Sequence, residues 1–325
     1  MTAASQPAPH FIDRQQLLHW SAEAMRHSPD PEAGLFGPDS MMWRVGREAI
    51  TFMGAGRAAL LQLAHPWVAT AIDQHSATRV DPAGRFHRTF INVFTMVYGN
   101  LAQVERVVRR VHHIHTAMQG QLTEDAGAFA AGSHYQANEA HAMLWVHATL
   151  WDTAWRMHRI YIGELSAAET EQYYRETKLF AWLFGIPDHL IPPDWAAFQH
   201  WCGQMVDSPV LTVGDTGRAM GERIFRFPTP VGQWPLRWFQ RLTAASLPPR
   251  LREGFDLPAP DAQWVARTER RVRRLYHLLP ATARYIPPYQ EALRRIAGRA
   301  PSPATRAMSR LWLGRPALVA RGVLP

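Results

Sequence analysis

The stretch 102-AQVERVVRRVHHIHTAM-118 decides how this chain folds. Val104, Val108, Val111, His115 and Met118 recur at spacings of four, three, four and three, the period of one face of an α-helix. A strand would need alternation at every second position, and this stretch has none. His113 shares the other side with Arg106, Arg109 and Arg110, so that face is expected in solvent, with His112 at the edge of the apolar stripe. One amphipathic helix is predicted over about 102–118, stopping at Gly120.

The same period recurs in both directions. Upstream, a helix is predicted over about Arg85–Tyr98, closed at Gly99-Asn100 by a left-handed cap. Before it, Pro66 restarts a helix over Trp67–Gln74, and the apolar run Ile50–Met53 leads through Gly54-Ala-Gly56 into a helix over Ala58–Ala64. Downstream, helices are predicted over Ala137–Ile162, Glu169–Phe184, Pro192–Met205, Gln263–Leu278 and Pro288–Gly298. Ser166-Ala-Ala-Glu169 is a capping box for the second of these, and Gly185-Ile-Pro187 ends it. The stretch 207–260 is heavy in Pro and Gly and should hold shorter helices. No internal repeat occurs. The predicted class is all-α. Residues 1–40 read as an N-terminal extension with one helix near Arg14–His27, 41–298 as a single domain, and 299–325 as a loosely attached basic tail.

Composition narrows the function. With 325 residues, 47% hydrophobic and 19% charged, the chain can bury a large core and is not a disordered polymer. Its single cysteine, Cys202, excludes a disulfide framework, a four-thiolate metal site and covalent haem attachment through paired thiols. The longest uncharged stretch near the middle, Thr89–Val104, is too short to span a bilayer and contains Asn92, Gly99, Asn100 and Gln103. The start, MTAASQPAPHFIDRQQ, has neither a basic leader nor an apolar run, so a soluble cytoplasmic protein is expected. The net charge of +8 comes from 35 basic residues, all arginine except Lys178. They spread along the whole chain, with modest concentrations at 106–110, 267–274 and 294–299, a pattern that does not favour nucleic-acid binding.

Several motifs can be set aside. Gly54-Ala-Gly56-Arg57-Ala58-Ala59 has the form of a dinucleotide loop but is followed by no βαβ succession, so it reads as the turn that starts a helix. There is no His-Glu-x-x-His zinc helix, no Glu-x-x-His pair and no Gly-x-Ser-x-Gly elbow, and Cys202 reads as core. Histidine remains. His115 interrupts an apolar stripe, as either a hydrogen-bonded core residue or an axial ligand to a haem. His147 lies in a second stripe, Ala140, Leu144, His147, Trp151, Ala154 and His158, as an inward imidazole better suited to support than to ligation. Arg85, Arg88 and Thr89 cluster on one helical face, with Asn92 and Met96 further along, a row suited to hold an anion or polarise a ligand.

In order along the chain stand Trp43-Arg44, Gly54-Ala-Gly56-Arg57-Ala-Ala-Leu-Leu-Gln62-Leu-Ala-His65-Pro66, His75-Ser76, Asp81-Pro82, Arg85-x-x-Arg88-Thr89 and His115-x-x-x-x-Gly120. Trp145-Val146-His147-Ala148-Thr149-Leu150, Leu183-Phe184-Gly185-Ile186-Pro187 and Leu247-Pro248-Pro249-Arg250-Leu251-Arg252 follow. This set resembles the MpaB/rubber-oxygenase family, which includes the latex clearing proteins of bacteria, over about residues 40–260. The resemblance implies a globin-like all-α core around a b-type haem, with His115 as the iron ligand and Arg85, Arg88 and Thr89 as the catalytic and cofactor-binding motif, supported by His147. Two positions depart from the latex clearing proteins. Arg88 stands where they carry a lysine able to reach the iron, and a permanently charged guanidinium is a poor ligand. Their proposed catalytic glutamate has no clear counterpart, Asp73, Gln74 and His75 being the nearest polar side chains. The implied function is a haem b-dependent oxygenase using O2 on an apolar, even isoprenoid, substrate, walled by Phe90, Phe94, Met96, Trp145, Leu150 and Trp151. The alternative is a non-catalytic haem protein that senses or stores a gas. Nothing in the sequence fixes an oligomeric state.

Overall fold

The computed structural model describes residues 9–75, 82–226 and 230–318, with the side chains of 82–86 and 230–231 left out. It is all-α: sixteen α-helices and one two-stranded hairpin among the described residues. Helix α1 (Arg14–Arg26) and the short α2 (Met41–Gly46) precede a 3₁₀ turn (Ala49–Gly54), then α3 (Ala55–Leu63) and α4 (Pro66–His75). Helices α5 (Pro82–Tyr98) and α6 (Leu101–Ala117) form an antiparallel pair leading to strands β1 (Gln119–Gln121) and β2 (His134–Gln136). The long α7 (Ala140–Tyr161) and α8 (Ala167–Trp182) follow. Then come α9 (Trp195–Asp207), α10 (Asp215–Ile224), α11 (Pro230–Ser246), α12 (Pro249–Gly254), α13 (Ala262–Leu278), α14 (Ala281–Arg284), α15 (Pro287–Ile296) and α16 (Pro303–Leu313).

Helix α7 is the axis. Most of its length is buried, because it carries apolar side chains on both flanks rather than on one stripe. One flank packs into a core with Leu60, Leu61, Trp145, Phe198 and Phe255. The other borders a core built from Trp43, Phe94, Tyr98, Val104, Val108, Phe180 and Tyr289. Close approach of α3 to its neighbours explains Gly54 and Gly56. A Cβ on Gly54 would stand 2.3 Å from Thr153 Cγ2, and one on Gly56 would stand 2.3 Å from Thr243 Oγ1. The glycine motif therefore starts a helix against α7 and α11, with a 3₁₀ turn and not a strand before it.

Three features differ from the sequence-based expectation. The break after α5 is no left-handed cap: Asn100 is the N-cap of α6, its side chain accepting from the Gln103 amide at 3.0 Å while Gln103 accepts from the Asn100 amide at 3.0 Å. The β1–β2 hairpin has three residues per strand, too few for alternation to register. Finally, 299–318 is packed. Helix α16 buries Thr305, Ser309 and Leu313, Trp312 meets Phe52 edge-on at 4.9 Å, and the Leu318 amide donates to Glu291 at 2.7 Å. Its arginines dominate the composition and conceal a narrow buried stripe. The capping box at Ser166 and the turn at Gly185 (φ +79°) are as expected.

The N-terminal extension is threaded into the domain. The His10 amide donates to Glu139 Oε1 (3.1 Å), the Ile12 amide to the Asn138 carbonyl (3.0 Å), and the Ala140 amide to the His10 carbonyl (2.8 Å). His112 Nε2 lies 3.1 Å from the Ile12 carbonyl oxygen. A Cβ on Gly185 would stand 3.0 Å from Leu17 Cα, so only glycine lets the turn after α8 approach α1 so closely.

Candidate functional site

Three elements bring two imidazoles to one aromatic ring. His115 sits in the last turn of α6 and His147 in the middle of α7, while the turn after α8 presents Phe184. The Phe184 ring centroid lies 6.3 Å from that of His115 and 4.4 Å, edge-on, from that of His147. Phe180 closes the other side of His147 at 5.5 Å. His147 is only 4% exposed.

In both histidines Nδ1 is buried and has no hydrogen-bond partner. Burial, followed by the charge of His112, lowers the pKa of His115 to about 4. Burial, followed by the charge of His115, lowers that of His147 to about 3. Both rings are therefore neutral at pH 7, and each can offer a nitrogen lone pair in apolar surroundings. A buried polar atom left unpaired costs roughly 1–3 kcal/mol, so two side by side mark a place that folding alone does not account for. The neighbouring histidines differ: His112 is tied to the Ile12 carbonyl, and His113 is exposed as its helical face predicts.

The arginine–threonine row is placed otherwise. Antiparallel pairing of α5 with α6, held in part by Arg110 donating to Asn92 Oδ1 at 3.2 Å, sets the turn 85–89 level with the C-terminal turn of α6. Arg88 and Thr89 are exposed on that turn, and the side chain of Arg85 lies outside the described residues. Ser76 and Asp81 lie outside them as well. The anticipated wall residues divide. Phe90, Phe94, Met96 and Trp151 belong to the core around α5 and α6, Trp145 belongs to the opposite core, and Leu150 is partly buried. The polar residues of α4 have structural partners: Asp73 faces Arg223 at 3.6 Å, Gln74 accepts from Tyr135 at 2.6 Å, and His75 Nε2 lies 3.0 Å from the Gln119 carbonyl oxygen.

Two buried polar features escaped the sequence reading. On the far side of α7, Arg57 and Asp152 form an ion pair at 2.9 Å, both nearly inaccessible. Arg57 also donates to Thr153 Oγ1 (2.6 Å) and the Ser246 carbonyl (3.0 Å), while Asp152 accepts from Arg156 (2.8 Å) and Gln199 (3.0 Å). Burial pushes the Asp152 carboxyl up, but Arg57 and Arg156 outweigh it and hold the group below its usual range. The network floors a pocket of about 230 Å³ that includes Trp145, Gln199, Cys202 and Gly203. The one available signal was a lone charge, Arg57, inside the apolar run of α3. The second feature is His65, at the junction of α3 and α4. It is buried between Trp67 and Phe129, its Nδ1 has no partner, and burial lowers its pKa to about 3.

Among the described residues no group of three or more His, Cys, Asp or Glu side chains is arranged to hold a bare metal ion. No described helix is long and apolar enough to cross a membrane. Compared with known proteins, residues 43–281 match the family model described as "ER-bound oxygenase mpaB/B'/Rubber oxygenase, catalytic domain". Neither a curated protein nor a solved structure matches the chain.

Proposed function

The chain belongs to the mpaB/B'/rubber oxygenase family of catalytic domains, and from that premise we propose that it is a haem b-dependent oxygenase acting on an apolar substrate with O2. The observation that carries the haem is the unpartnered, buried Nδ1 of His115 beside Phe184 and His147. The donor set fits such a group. A haem would ask the protein for an imidazole to hold its iron and for apolar walls, and neutral His115 beside Phe184 would supply the first and part of the second. His115 would hold the iron. His147 would line the site, its own charged form disfavoured first by burial and then by His115.

When bound, the haem supplies the redox chemistry that activates O2. The chain contributes positioning and exclusion. Phe184 packs beside the half-buried His115 ring and, with Phe180, encloses His147, and a drier surrounding strengthens any electrostatic contact made there. Arg85, Arg88 and Thr89, level with His115 on the neighbouring helix, would anchor carboxylate substituents of the cofactor or donate hydrogen bonds at the mouth of the site. An apolar site interior selects an apolar substrate, with an isoprenoid double bond as the leading candidate.

Spectroscopy on the purified protein tests this reading. A Soret band is expected, tight haem retention should disappear in His115→Ala, and His147→Ala should retain haem with altered affinity. An unchanged spectrum in His115→Ala sinks the ligand assignment. O2-dependent formation of carbonyl products from an apolar alkene distinguishes an oxygenase from a protein that merely stores or senses a gas.

A further inference from the structure

The C-terminal half of α13 is held on one side only, where His277 Nε2 lies 3.1 Å from the Tyr161 carbonyl oxygen. Its inner face carries the buried Tyr276, whose hydroxyl donates to Glu48 at 2.8 Å. Its outward pole carries Arg267, Arg271, Arg274 and Leu278 at spacings of four, three and four, one face of a helix. The end of this helix leaves three leucines in water: Leu275 is 65% exposed, Leu278 79% and Leu279 46%. Arg270, Arg273, Arg274 and His277 surround Leu278 in a shallow depression.

The charge here is unbalanced. From Arg270 to Gln290 the chain has five arginines and no Asp or Glu. Among the described residues none of Arg270, Arg271, Arg273 and Arg274 forms an ion pair, and Arg267 reaches Asp261 only at 3.9 Å. Glu164, the carboxylate nearest in effect to Arg273, is already bound by Arg159 at 2.7 Å.

We infer that this corner, Arg267–Leu279, docks the protein on an anionic lipid surface. Exposed leucines gain by entering an acyl boundary, while guanidinium groups on flexible stems reach back to lipid phosphates at the level where the leucines enter. Nucleic acid would satisfy the arginines and leave the leucines in water. A purely apolar partner would bury the leucines at the cost of desolvating the arginines. Attachment would be interfacial, since no described helix crosses a membrane. The inference needs no haem and stands apart from the oxygenase chemistry.

Co-sedimentation of the full chain tests it, with vesicles of pure phosphatidylcholine and vesicles of equimolar phosphatidylcholine and phosphatidylglycerol. Binding is expected to the anionic vesicles only, weakening as salt rises. Arg270→Gln/Arg273→Gln/Arg274→Gln should lower the partition coefficient roughly a hundredfold, about fivefold per charge. Leu275→Asp/Leu278→Asp should abolish it. All five side chains are exposed, and an unchanged circular dichroism spectrum certifies each variant. Failure of the parent chain to pellet, equal binding to neutral vesicles, or variants that bind like the parent would each overturn the inference. So would variants that change the elution volume in gel filtration and leave lipid binding intact, which would make the corner a contact between copies of the chain.

Discussion

Two sites on α7, five residues apart, handle buried polarity in opposite ways. At Asp152 every polar atom is answered: Arg57, Arg156 and Gln199 converge on one carboxylate, and Arg57 is completed by Thr153 and the Ser246 carbonyl. At His147 the ring nitrogen Nδ1 faces Phe180 and Phe184 with nothing to bond, as Nδ1 of His115 does beside it. A satisfied network ties helices together. An unsatisfied pair among aromatic rings adds nothing to folding and makes sense as equipment for a ligand.

The largest effect should come from breaking the satisfied side. Asp152→Ala strands the Arg57 charge in the interior and is expected to cost about 3–5 kcal/mol in urea unfolding. The double variant Arg57→Met/Asp152→Leu should recover most of that loss. A single variant that loses less than about 1 kcal/mol would abolish the contrast.

Acid should separate the two sides next. His65, His115 and His147 have folded pKa values of about 3 to 4, below the ordinary 6.5. The unfolded chain then binds more protons between these limits, so their contribution is complete above about pH 6.5 and is lost as pH falls toward 4, at about 1.4 kcal/mol per unit of depression for each group. The Asp152 carboxyl, held below its ordinary 3.8 by Arg57 and Arg156, keeps its contribution until pH falls below that value. The melting temperature should therefore begin to drop well above pH 4, and a flat profile from pH 7 to 4 would contradict the burial of the imidazoles.

Smaller effects follow. Gly56→Ala drives a methyl group against Thr243 and should cost about 1–3 kcal/mol by loosening the approach of α3. His147→Phe removes an unpaired nitrogen while keeping an aromatic ring, and the same unfolding assay should show no loss, or a gain of up to about 1 kcal/mol. A marked loss there would mean that the imidazole has a structural partner after all.

The helices were legible because their signal is local. Val104, Val108 and Val111 announce α6 within two turns, and Ser166 with Glu169 announces the start of α8. His115 and His147 stood out for the same reason, as polar interruptions of apolar stripes. The Arg57–Asp152 pair was hidden because its partners are far apart in sequence and neither flank of Asp152 marks it as buried. Arg88 and Thr89 show a further limit. Spacing set them on one face of α5 but could not say which way that face turns, and both are exposed. Helix α16 escaped notice because three buried positions among arginines do not alter an average.

The strand-like run from His10 to Ile12 grips α6 and the start of α7, while the nearby Leu17 abuts the turn at Gly185. During synthesis these residues leave the ribosome before everything they fasten to, the last of it more than 170 residues further along the chain. This segment must therefore wait, undocked, until α8 has been translated. It then becomes the latch that locks the three helices carrying the aromatic cluster.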